Sequence, residues 1–113
     1  MAIDLKLIGE SYAKLYDILE NNIKVGYILL KENNDKSITI ESLSVDIKHQ
    51  RKGIGREVVN KLKEKHSFIH GASSPMAINF WKKVDAEFEY YVNDDMVYQL
   101  LNIGEYPPFI IKC

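Results

Sequence analysis

The sequence predicts an α+β (mixed α/β) fold, with a central, mostly antiparallel twisted sheet and two main helices. Three observations carry that expectation. Apolar and polar residues alternate through much of the first 45 positions, and the period lengthens to four at Ile54, Val58 and Leu62. A Ser-Pro pair then opens a second helical stripe at Ala77, Trp81 and Val84. At 113 residues the chain is long enough for one hydrophobic core, so residues 1–113 are expected to form a single domain.

Ile3 to Ile8 alternates weakly and reads as a strand. Tyr12 to Glu20 fits either a helical stripe through Tyr12, Leu15, Tyr16 and Leu19 or a strand turning at Asn21–Asn22; the strand is favoured. Ile23 to Lys31 and Ser37 to Val45 are rich in β-branched and aromatic residues, and the Asn33–Asn34–Asp35 cluster between them points to an antiparallel hairpin. A helix is expected from Gly53 or Ile54 to about His66, then a short strand at Ser67 to Ala72. Ser74 reads as the cap and Pro75 as the first residue of the second helix. Glu87 to Tyr91 and Met96 to Leu101 read as two strands joined at Asn93–Asp94–Asp95. In the tail, Pro107–Pro108 is expected to stop any ladder, leaving Phe109 to Ile111 as an apolar knot. Residues 102–113 are therefore read as an extra strand or as a tail that a homodimer would bury.

Composition narrows the partners. Net charge is −1, but residues 48–66 hold seven lysines and arginines against two acids, which leaves −6 for the remainder. A local basic patch on an acidic protein suits a small anionic ligand better than a nucleic-acid track. No apolar run is long enough for a membrane span, and no leader pattern is evident, so a cytoplasmic protein is expected. The one cysteine, Cys113, excludes an intrachain disulfide, and no His pair has metal-ligand spacing, so no metal is expected. His49 and His66 are read as exposed.

The basic patch contains "HQRKGIGREVV", a glycine loop running into a helix. Free backbone N–H groups at a helix start, glycines without a Cβ and flanking Arg51, Lys52 and Arg56 make an anion site. The glycines alone match neither a dinucleotide fingerprint nor a Walker loop and are equally compatible with a plain turn.

The longer pattern "ESLSVDIKHQRKGIGREVVNKL" resembles the acyl-CoA-binding motif of the GNAT superfamily of N-acetyltransferases. Gln50-Arg51-Lys52-Gly53-Ile54-Gly55 stands where that family has Gln/Arg-x-x-Gly-x-Gly/Ala. The segment from Ser74 through Ala77 to Phe80–Trp81 is similar to the family's Asn-x-x-Ala-x-x-Phe-Tyr, and "FWKKVDAEF" to its helix end. The resemblance covers about residues 23 to 91. It implies a GNAT-like fold and an acetyltransferase using acetyl-CoA, without metal, on an unidentified primary amine. It further implies that Gln50, Arg51, Lys52, Gly53, Ile54, Gly55 and Arg56 hold the pyrophosphate. The edge of Leu43, Ser44 and Val45 would pair with the pantetheine amides, with Ser74, Phe80 and Trp81 alongside. Glu41 is the first candidate for the base and His70 the second.

Three departures accompany the resemblance. Trp81 replaces a tyrosine that can protonate the leaving thiolate. The family's two N-terminal helices are missing or reduced to Tyr12–Glu20, and Asp85 replaces a glycine after the helix. Tyr90, Tyr91 and Tyr98 could line an acceptor site or replace the acid. Two alternatives stand beside the enzyme: a GNAT-like protein that binds acyl-CoA without efficient transfer, and a basic-helix nucleic-acid-binding module.

Overall fold

The computed structural model describes residues 2–113. Its framework is a seven-stranded sheet in the order β1-β2-β3-β4-β5-β7-β6, built from β1 (Ile3–Glu10), β2 (Lys14–Glu20), β3 (Ile23–Glu32), β4 (Ile38–Val45), β5 (Phe68–Ala72), β6 (Glu87–Phe88) and β7 (Pro108–Lys112). Every neighbouring pair is antiparallel except β4–β5, which is parallel and is joined through helix α1 (Ile54–Lys63). Parallel neighbours need a crossover, and α1 provides it. Helices α2 (Ile78–Lys83) and α3 (Val97–Ile103) follow β5 and β6 respectively.

Local chemistry explains the N-terminal meander. Asn21 and Asn22 have φ of 51° and 68°, the paired left-handed geometry of a two-residue hairpin turn, so Tyr12–Glu20 resolves as the strand β2. The β3–β4 turn is held by Asp35, whose Oδ1 accepts from the Ser37 N–H (3.0 Å) and Oγ–H (2.6 Å). Those bonds lower the Asp35 pKa, the Ser37 hydroxyl first and its amide second. The Asn33 amide donates to the hydroxyls of Ser37 and Thr39.

One sheet face carries the core. Ile18, Ile28, Ile38, Ile69 and Ile111 are fully buried against Ile54, Val58, Val59 and Leu62 of α1 and Trp81 of α2. Each such side chain contributes on the order of 1.5–3 kcal/mol of burial free energy. A second, smaller cluster joins Ile78, Val92 and Leu100 under α3.

Five expectations need correction. Met96–Leu101 is not a strand: a 3-10 turn at Asp94–Met96 leads into α3, which ends at Gly104 with φ 67°. The Glu87–Tyr91 strand shrinks to Glu87–Phe88. Pro107–Pro108 does not stop the ladder; Pro108 is the first residue of β7, which lies between β5 and β6 with Phe109 and Ile111 in the core. The prolines, which lack an N–H, still bond through their carbonyls: that of Pro107 accepts from Ser73 N–H (2.8 Å) and that of Pro108 from Glu89 N–H (3.1 Å). Finally, α1 ends at Lys63, short of His66, and Ser74 precedes a 3-10 turn (Pro75–Ala77) without a side-chain capping bond.

Candidate cofactor and acyl-transfer site

The site begins where β4 and β5 part. Their pairing runs from Ile38↔Ile69 to Ile40↔Gly71 and then ends, so Ser42 to Val45 are paired with β3 on one side only. A bulge falls at the same point. Leu30 pairs with Ile40 and Leu29 with Ser42, which leaves Glu41 without a partner on β3. The result is a short free strand edge opening beside a bulge.

Below it lies a groove of about 760 Å³, lined by Leu43 and Val45 of β4, the loop and first turn of α1, and Ala77, Phe80 and Trp81 of the α2 region. Its charged rim is cationic, with Arg51, Arg56 and Lys83 and no acid among the lining residues. The loop is tied to the strand by Gln50, whose Nε2 donates to the Val45 carbonyl at 2.8 Å. Arg51 and Gly53 sit at φ 65° and 85°, a left-handed bend that delivers the chain into α1. The first bond into the helix is Glu57 N–H to Gly53 O at 3.0 Å, and the backbone N–H groups of residues 51–56 have no protein acceptor among the described residues. A row of free donors at a helix start, flanked by arginines, is an anion cradle.

Two further features shape the groove. A Cβ on Gly55 would lie 2.9 Å from the Phe80 ring, so any larger residue there would have to push the ring aside. His49 lines the groove, and its Nδ1 is buried without a hydrogen-bond partner among the described residues.

Most of the residues expected from sequence meet here: Leu43, Val45, Gln50, Arg51, Gly53, Ile54, Gly55, Arg56, Phe80 and Trp81 all line the groove. Five do not. Ser44 pairs with Tyr27, out of line with Leu43 and Val45, because side chains alternate along a strand. Lys52 is exposed on the loop, and Ser74 is half-buried outside the groove. Glu41 is exposed at the bulge, and His70 is half-buried opposite Thr39, one pair before the strands part. Sequence reasoning missed His49, Met76, Ala77, Lys83 and Val84 as lining residues, and it read both His49 and His66 as exposed where each is half-buried. The lysine pair closing "FWKK" at a helix end was the available signal for Lys83. Of the tyrosines, Tyr90 donates to Glu105 at 2.7 Å, a bond that raises its pKa, while Tyr91 and Tyr98 are exposed; none lines the groove.

The sheet order, the parted parallel pair and the loop at α1 define an acyl-CoA N-acyltransferase fold. Residues 7–86 match the Acetyltransferase (GNAT) family, and the chain belongs to it. Three solved structures are similar. A Bacillus anthracis protein assigned as a streptothricin acetyltransferase, in complex with acetyl coenzyme A, shares 22% identity (TM-score 0.68, 95% of this chain and 66% of that one). A Bacillus subtilis acetyltransferase in complex with CoA shares 12% (TM-score 0.69, 99% of each chain). A GNAT family acetyltransferase from Elizabethkingia anophelis with acetyl-CoA bound shares 18% (TM-score 0.63, 90% and 77%). This chain thus spans just under two thirds of the first of these and nearly all of the second. No curated protein matches the sequence significantly. Among the described residues there is no His, Cys, Asp or Glu cluster suited to a metal ion, and no helix long and apolar enough to cross a membrane.

Proposed function

We propose that this protein is a cytoplasmic N-acetyltransferase that moves an acetyl group from acetyl-CoA to a primary amine on a protein, a peptide or a small molecule. The observation that carries the reading is the run of unpaired N–H groups from Arg51 to Arg56, set at the end of β4, where that strand has parted from β5. Arg51 and Arg56 add charge for a pyrophosphate, and His49 Nδ1 offers a further polar contact. The free edge of Leu43–Ser44–Val45 has backbone groups to pair with the amides of a pantetheine arm, so Ser44 would contribute through its backbone.

When bound, acetyl-CoA supplies an acyl thioester that an amine attacks directly, so the chain needs no nucleophile of its own. What it must supply is position and a proton acceptor, because an alkylamine is largely protonated near neutral pH. Glu41, exposed one residue past the last β4–β5 pair and freed from the β3 ladder by the bulge, fits the acceptor role better than His70, which lies within the paired stretch. β1 and β2 are joined directly across Ser11–Ala13, so no helix lies between them to wall the acceptor side.

The alternative of acyl-CoA binding without efficient transfer is favoured by Trp81, which is buried and has no acidic hydroxyl. The nucleic-acid alternative loses support because the arginines of the basic segment line a small-ligand groove and Lys63 pairs with Asp85 at 2.9 Å.

Two measurements test the proposal. Acetyl-CoA is expected to raise the melting temperature, by about 2.7 kcal/mol of added stability at a hundredfold excess over its Kd. Free thiol is expected to appear when an accepted amine is added. No thermal shift would refute cofactor binding, and a shift without thiol release across a broad amine panel would establish the binding-only alternative.

A further inference from the structure

The two ends of the sheet differ sharply. β6 closes one end with two residues, whereas β1 leaves an eight-residue outer edge that no other strand among the described residues covers. Long open edges invite pairing, and proteins commonly block them with proline, short length or a charge. β1 has no proline, and its Leu7 and Ile8 are 46% and 48% exposed.

The residues of this edge are complementary to themselves. In Ile3-Asp4-Leu5-Lys6-Leu7, an antiparallel copy centred on Leu5 sets Asp4 opposite Lys6 twice, Ile3 opposite Leu7 twice, and Leu5 opposite itself. Directly opposed residues share a face, so the apolar pairs extend the helix-covered side that already holds Ile3, and both ion pairs fall on the open side. Centring on Asp4 or on Lys6 opposes like charges, and centring on Leu7 sets Asp4 against Glu10. Centring on Ile3 makes no ion pair, and centring on Ile8, which sets Lys6 against Glu10, carries the ladder across the Leu7–Gly9 bulge. Lys6 alone would be an edge blocker; with Asp4 two residues away it becomes a selector of one register. The bulge between Leu7 and Gly9, which twists an edge away, falls where the complementary segment ends.

We infer that a second copy of this chain docks antiparallel on β1 in the Leu5-centred register, joining the two sheets edge to edge. This replaces the C-terminal tail as the dimer contact, since the tail is an internal strand. The joined edges lie three strands from β4, so both grooves stay open in the pair.

Sedimentation equilibrium of the intact chain, with Lys6→Asp and the exchange Asp4→Lys/Lys6→Asp, tests this inference. The wild type is expected to dimerise. Lys6→Asp opposes acids at both symmetric positions and should weaken association by about tenfold or more, and the exchange should restore it. Far-UV circular dichroism reports whether each variant is folded. A wild type that stays monomeric, or a dimer that Lys6→Asp does not weaken, would overturn the inference. So would an exchange variant that folds but stays as weak as Lys6→Asp.

Discussion

A β-carbon placed on Gly55 would stand 2.9 Å from Cε1 and 3.0 Å from Cζ of Phe80. The second glycine of the α1 loop therefore does two things at once. It leaves the backbone bare toward the groove, and it lets the α2 ring close over the first turn of α1. Gly55→Ala is expected to destabilise the fold by about 1–3 kcal/mol through overpacking and to reduce the thermal shift produced by acetyl-CoA. Phe80→Leu on the same background should recover part of the stability, because the two positions are in contact. Additive effects in a double-mutant cycle of chemical denaturation would show that the contact does not matter.

Trp81 makes a different prediction, because its surroundings are aromatic. Its ring lies 4.5 Å from that of Phe109 and 5.0 Å from that of Phe80, and it is 6% exposed. Trp81→Ala should cost about 3–5 kcal/mol. Trp81→Phe should cost less and leave the turnover of an accepted amine within a few-fold, since indole N–H is not serving as an acid. A collapse of kcat in a folded Trp81→Phe protein would assign the indole a chemical role.

The elements that sequence predicts well are those whose pattern repeats locally. Ile54, Val58 and Leu62 repeat at helical spacing and are all buried, and Ile38 and Ile40 alternate as a strand should. The junction of loop and helix at Gly53–Ile54 is legible for the same reason, since loop, glycines and helix start are contiguous. β7 was not, because its place between β5 and β6 is fixed by pairings some forty and twenty residues back along the chain. Met96–Leu101 misled through Val97 and Tyr98, which suit strands. Stop and start signals were nevertheless present: Asn93–Asp94–Asp95 opens α3 and Gly104 closes it. Ser44, Ser74 and Lys52 were assigned by motif position, which says nothing of the direction in which a side chain points. His49 stands singly in a loop, with no periodicity to show that it turns inward.

Asp85 tests a departure from the family pattern. It holds φ 72° after α2, where its N–H bonds the Lys82 carbonyl at 3.2 Å, and its carboxylate meets Lys63 at 2.9 Å. A left-handed non-glycine residue costs about 1 kcal/mol, while an ion pair with a carboxylate this exposed contributes little. Asp85→Gly should therefore raise stability by about 0.5–1 kcal/mol, read as a higher denaturation midpoint at unchanged slope. A lower midpoint would show that the Lys63 pair outweighs the strain.

Asp35 gives the fold a defined response to acid. Its carboxylate accepts from the Ser37 hydroxyl and amide, which hold its pKa below the ordinary value. A group with a depressed folded pKa stabilises fully above its unfolded pKa, and that contribution is lost as pH falls through the folded one. The melting temperatures of wild type and Asp35→Ala should therefore differ most near neutral pH and converge on acidification below pH about 4. Part of the gap will persist, because the variant also leaves the Ser37 N–H unpaired. A gap that is constant with pH would place the whole effect in that lost acceptor.

Glu41 and Ile40 are adjacent in sequence but differ in what holds them. Ile40 is paired on both sides, with Leu30 and with Gly71, whereas Glu41 is paired with neither neighbouring strand. A carboxylate at that point is free of ladder constraints, and on the proposed reaction it would take the proton of an amine approaching the thioester where β4 and β5 part. General-base catalysis is worth about 100- to 10,000-fold. Glu41→Gln should lower kcat by about a hundredfold or more, yet leave KM for acetyl-CoA unchanged, because Glu41 does not line the groove. His70→Asn should change kcat only a few-fold. Steady-state thiol release with one accepted amine measures both variants. Full activity in Glu41→Gln with a large loss in His70→Asn would move the proton acceptor to His70.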